Sequence, residues 1–183
     1  MRPRRFEKDR PDELVADGGY GLAPRRRGRP LAEAQRREAA GTLLNAAKAR
    51  VSDARLLSVS GHFVAAHYVA GVAVEALLTA YWVRDVGSIP RDHDVDRLEP
   101  RFFYFVPPQD AEATAEHLRS LKLRWENRHR YRDDASLAKW LKERLPKRED
   151  RKQMLAESSA TIVSAAEWIV KVGIQQWKRR PER

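Results

Sequence analysis

HFVAAHYVAGVAVEALLTAYWVRDVG, residues 62–87, decides how this chain folds. From Phe63 to Val83 its only formal charge is Glu75. A helix apolar nearly all round is either central in a bundle or crosses a bilayer, since both surroundings leave no face for water. His67 and Glu75 interrupt the apolar run, and the chain is strongly polar, with a mean hydropathy of −0.68. An ionisable residue is expensive in hydrocarbon, so the expectation is a central bundle helix and no membrane partner. Ala66, Ala70, Gly71 and Ala73 are small enough to let another helix approach closely, and Gly87 is the expected end.

Upstream, residues 31–60 place Leu43, Ala46, Ala47, Val51, Ala54 and Leu57 on one stripe, which predicts a helix closed near Gly61. Downstream, a proline turn precedes a short helical turn at residues 94–98. The apolar patch RFFYFVPPQD, 101–110, reads as extended or irregular, and Asp110 as the cap of a helix running to Leu123. Residues 134–145 read as a short amphipathic helix. Residues 150–177 carry the longest periodic stripe, with Leu155, Ile162, Val163, Ala166, Ile169, Val170, Gly173, Ile174 and Trp177 on one face. No strand pattern competes. The expected fold is an all-α antiparallel helical bundle over residues 31–178, with a flexible basic arm at 1–30 and a basic tail at 179–183. The small residues of the central helix and the closing stripe offer more apolar surface than a minimal bundle covers internally, so a homodimer is expected.

The 183 residues suit one domain. Net charge is +10, which suggests a polyanionic partner such as RNA or DNA. Arginine dominates, and its planar fork suits phosphate. The run RRRGRP puts Arg25, Arg26, Arg27 and Arg29 on the arm as candidate nucleic-acid contacts. Absence of cysteine excludes disulfides and thiolate metal sites. His62 and His67, five apart, do not form a common helical ligand pair, so neither metal nor cofactor is expected. No apolar segment follows the basic N-terminus, and cytoplasmic placement is expected.

Chemistry concentrates in RWENRHRYRD, residues 124–133. Metal-free RNA cleavage needs a base, an acid and a cation for the phosphorane. His129 titrates near neutrality and can act as base or acid, while Arg124 can hold the scissile phosphate. On a continuous helix these two would point roughly 140° apart, so they converge only where the helix breaks or a second protomer completes the site. The plainer reading is a charged connector, with His129 solvated, Tyr131 packed and Trp125 a core anchor. Asn127, Arg128 and Arg130 would support either role. Glu75, nearly alone in an apolar helix, needs a partner, for which Arg124, Arg128 and His67 are candidates.

In the central helix, Ala66, Tyr68, Gly71, Ala73, Val74 and Glu75 follow a pattern that resembles the second helix of HEPN domains. His93-Asp94-Val95 with Leu98, then Trp125 and Arg130-Tyr131, occur in the order that family shows, across residues 43–172. The resemblance implies a metal-independent endoribonuclease with an Arg-x4-His motif, here Arg124 and His129, paired across a two-protomer cleft. Its toxin branch adds a tyrosine two positions after the histidine, matched by Tyr131, and implies a nucleotidyltransferase antitoxin as partner. Trp125 stands where the family commonly has asparagine, with Asn127 two positions on. Three readings stay open: an RNA-binding ribonuclease, a non-catalytic HEPN scaffold docking to another protein or nucleic acid, and a DNA-associated accessory protein.

Overall fold

The computed structural model describes residues 30–90, 94–145 and 150–179. Six α-helices and one 3₁₀ turn follow in order: α1 Glu33–Val59, α2 Phe63–Val86, α3 Val95–Phe103, α4 Pro108–Arg124, the 3₁₀ turn Asn127–Tyr131, α5 Asp134–Arg144 and α6 Arg151–Arg179. There is no strand among the described residues.

Local chemistry sets the ends. The Ala32 amide donates to Gln35 Oε1 at 3.2 Å, one half of a capping box that starts α1. Gly61 and Gly87 follow the first two helices with φ of 81° and 74°, a conformation costly to any residue with a Cβ. The Gly87 carbonyl also accepts from the Leu31 amide at 2.8 Å, tying the start of the described chain to the end of α2. Two expectations need correction. α4 begins at Pro108, preceded by Pro107, and Asp110 lies in its first turn instead of capping it. Proline fits a first turn because its missing N–H has no helical acceptor there, and Asp110 still complements the positive helix end. Residues 101–103 also continue α3 instead of running extended, because helical geometry carries Phe102 into the core.

α2 lies at the centre, packed along α1 and also against α3 and α6, while α4 lies on α6. Its Ala66, Ala70, Ala73, Val74, Leu77 and Leu78 are fully enclosed. Burying each large aliphatic chain there stabilises the fold by about 1.5–3 kcal/mol. Two glycines permit the closest contacts. A Cβ on Gly71 would fall 1.9 Å from Trp125 Nε1, and one on Gly173 would fall 2.6 Å from Leu77 Cδ2. Beside the second contact, the Tyr81 hydroxyl donates to the Gly173 carbonyl at 2.7 Å. α2 is long and apolar enough to span a membrane by length and composition, yet twelve of its residues are buried inside this chain. Its small residues and much of the α6 stripe thus pack within one bundle. Among the described residues the exposed large apolar side chains are Leu56, Val59, Ile89, Tyr104, Leu123 and Tyr131.

A second, smaller core forms beside the first. Leu137, Ala138, Trp140 and Leu141 of α5 pack with Met154 and Leu155 at the start of α6, covered by Phe63 and Val64 of α2. Buried His67 falls on α2 between Val64 of the smaller core and Ala70 of the larger, and buried Ser158 falls on α6 between Leu155 and Ile162.

Candidate functional site

α4 stops at Arg124 because Trp125 leaves the helix. Trp125 and Glu126 are extended, with φ/ψ of −129°/139° and −146°/153°. That excursion drives the Trp125 indole over Gly71, where it is 8% exposed. The expected core anchor is therefore also what breaks the helix between Arg124 and His129. A Glu126–Arg132 ion pair at 2.5 Å spans the following 3₁₀ turn. Burial works to raise the Glu126 carboxyl pKa, but the Arg132 guanidinium outweighs it and holds the group below its usual range.

The three residues assigned to catalysis go to three different environments. His129 is 0% exposed, with its ring edge-on to Trp140 at 4.6 Å and to His67 at 6.2 Å. Neither ring nitrogen has a hydrogen-bond partner among the described residues. Burial, reinforced by the nearby charge sites of His67, Arg132 and Arg144 and opposed by Glu126, lowers its pKa to about 4. Arg124 sits at the α4 end, where Nη1 donates to the Ser120 carbonyl at 3.0 Å and to Ser120 Oγ at 2.9 Å. Its partial burial lowers its pKa. Tyr131 is 79% exposed, with the Arg130 guanidinium 4.7 Å from its ring centre. Arg128 and Arg130 are exposed, Asn127 is half-buried, and Glu75 is half-buried on α2.

His67, which sequence reasoning offered only as a partner for Glu75, lies beside His129 in the inner part of the site. Its Nδ1–H donates to the Phe63 carbonyl at 2.8 Å, leaving Nε2 to accept from the Ser158 hydroxyl at 3.0 Å. That pattern fits a neutral ring, and burial lowers its pKa to about 4, with the Phe63 bond opposing and the Arg124 charge assisting. A polar group inside an apolar helix signals that some partner must exist. That it is Ser158, far along the chain, only the fold reveals.

Outside this buried layer, the first turns of α2 face the 3₁₀ turn across an open groove of about 400 Å³. His62, Ala65 and Tyr68 line one side, His129 and Arg130 the other, and Asp134 of α5 the rim. Chemically, this arrangement offers an exposed cationic and aromatic ridge with a neutral imidazole beneath it. A neutral buried ring can donate or accept a hydrogen bond, but it presents no charge to a phosphate. Among the described residues no group of three or more His, Asp or Glu is placed to hold a metal ion. Arg25, Arg26, Arg27 and Arg29, and His93 of the family-like turn, lie outside the described residues. No family model matches the chain, and no curated protein or solved structure shows significant similarity to it.

Proposed function

We propose that this chain is an RNA-binding helical-bundle protein of HEPN type, which holds single-stranded RNA on the ridge formed by its 3₁₀ turn. The observation that carries the reading is the exposed Tyr131 with Arg130 against its ring and Arg128 close by in sequence. Neither Arg128 nor Arg130 makes an ion pair among the described residues. Aromatic faces stack bases of any identity, and free guanidinium groups neutralise phosphates, so the ridge favours single strands without demanding a sequence. Burial of His129 away from that ridge favours binding over cleavage in a single protomer.

The test is fluorescence anisotropy with a labelled single-stranded RNA across a salt series. The double variant Arg128→Gln/Arg130→Gln should lower the log–log salt slope by about 1.4, at roughly 0.7 per lost single-strand phosphate contact. Tyr131→Ala should weaken binding by about 1–3 kcal/mol with little change in slope. No RNA binding, or variants indistinguishable from wild type, would refute the proposal. A second reading, metal-independent cleavage, is favoured by one observation: His129 lines the groove beside Arg130. Under that reading RNA is cut in EDTA by the wild-type protein and not by His129→Ala.

A further inference from the structure

The 3₁₀ turn that carries the ridge is held down by one fully buried side chain. His129 is the only buried residue of Asn127–Tyr131, whereas Arg128, Arg130 and Tyr131 are exposed. The turn's own backbone bonds are local: the His129 amide donates to the Glu126 carbonyl at 3.0 Å, and the Arg132 amide to the His129 carbonyl at 3.1 Å. Docking of the turn therefore rests on the imidazole, which stands edge-on to Trp140 and His67. Both ring nitrogens are enclosed and lack partners among the described residues, so they forfeit the hydrogen bonds they would make in water. A phenyl ring would fill the same place without that cost. What the imidazole adds is a place for a proton, and its surroundings oppose one. Its own segment contributes Glu126, Arg130 and Arg132, with Glu126 already paired to Arg132. α5 contributes Asp134 and Arg144, the Arg144 guanidinium lying 4.0 Å from the Trp140 ring centre. α2 contributes His62 and His67, the latter engaged by the Phe63 carbonyl and by the uncharged Ser158 of α6. Arg124, at the end of α4, adds positive charge beside His67.

We infer that the 3₁₀ turn is a proton-controlled latch, which stays docked while His129 is neutral and swings out when the ring takes up a proton. The enclosed nitrogens touch no water, so the ring gains its proton from solvent only in the released turn, where the charge is hydrated. Release leaves the helices in place, because Trp125 on Gly71 and the α5 cluster on the head of α6 bound the segment on either side. Histidine suits such a device because it changes charge within reach of neutral pH. Burial lowers the pKa of the docked ring from 6.5 to about 4. Docking is therefore fully favoured above about 6.5 and loses that advantage as the pH falls towards about 4. Between about pH 7 and about pH 5 the ratio of docked to released turn should fall about twentyfold. The latch goes beyond the RNA-binding reading and stands without it. Where RNA is held on the ridge, the latch makes the neutral protein the binding form, with Arg128, Arg130 and Tyr131 fixed in place.

The test is amide hydrogen exchange of the full chain without RNA, read residue by residue by NMR at about pH 7 and about pH 5 and corrected for intrinsic rates. The His129 and Arg132 amides should lose about twentyfold in protection between the two conditions. At both they should stay far less protected than amides in the middle of α2, which marks a local opening. His129→Phe keeps a ring against Trp140 and cannot take a proton, so its Arg132 amide should show no such loss. Wild-type turn amides whose protection does not change with pH overturn the latch, whether or not the variant folds. A loss that persists in folded His129→Phe overturns it as well, as do turn amides that open only together with α2. A chain that passes this measurement but binds no RNA keeps the latch and loses the ridge, so the two proposals fail separately.

Discussion

Two buried neutral histidines make acid the sharpest probe of this fold. His67 and His129 both have their pKa lowered from 6.5 to about 4 in the folded chain. The unfolded chain therefore binds more protons wherever the pH lies below the unfolded value. Their stabilising contribution is fully present above about 6.5, shrinks as the pH falls, and is gone below about 4. Between about pH 7 and about pH 5, each histidine should lose about 2 kcal/mol, and the pair roughly 4 kcal/mol. That is a large part of the 5–15 kcal/mol typical of a domain. Urea unfolding followed by circular dichroism should show the midpoint dropping over this range with an unchanged slope. His129→Phe keeps a ring against Trp140 and removes one titrating group, so it should retain only about half of the dependence. It should be no less stable than wild type near neutrality, because two unpartnered buried nitrogens disappear. A wild-type midpoint that does not move, or a variant that keeps the whole dependence, would show that burial of these rings does not govern acid sensitivity.

Other perturbations should act on the contacts that position the ridge. Gly71→Ala forces a methyl against the Trp125 indole and should destabilise the fold by about 1–3 kcal/mol in urea titration. It should also weaken RNA binding, since Trp125 anchors the turn that carries Arg128, Arg130 and Tyr131. Tyr81→Phe deletes the hydroxyl that donates to the Gly173 carbonyl and should reduce stability by about 1–3 kcal/mol, leaving RNA affinity unchanged. Gly87→Ala should destabilise through its positive φ and through contact with the Arg36 guanidinium, 2.6 Å from the added Cβ, as a lowered melting temperature would show.

The helices were legible where periodicity and punctuation agreed. The apolar run, Gly61 and Gly87 marked α2 nearly to the residue, and the stripe from Leu155 to Trp177 marked α6. Residues 101–110 misled because four aromatics in a row suit an extended chain as well as a short helix, and only packing of Phe102 decides between them. The candidate site was half legible. Its location in residues 124–131 followed from residue types, and a helix break was recognised as necessary for convergence. What could not be read was direction. A one-dimensional motif treats Arg124, His129 and Tyr131 alike, yet docking of Trp125 on Gly71 sends the histidine inward and leaves the tyrosine outside. Likewise, the Ser158 partner of His67 depends on how α6 lies across α2.

The side-by-side cores have a kinetic meaning. Six buried residues make up the smaller one, and it shares none of them with the larger. Exchange of amide hydrogens with solvent reports the free energy of each opening, and small cooperative units open before the whole molecule does. α5 can lift from the head of α6 by exposing only that minor cluster, so its amides should exchange through a partial opening. Amides in the middle of α2 should wait for global unfolding. His67 and Ser158 stand at the parting line, so protonation of His67 should first release the α5 lobe and only later the bundle.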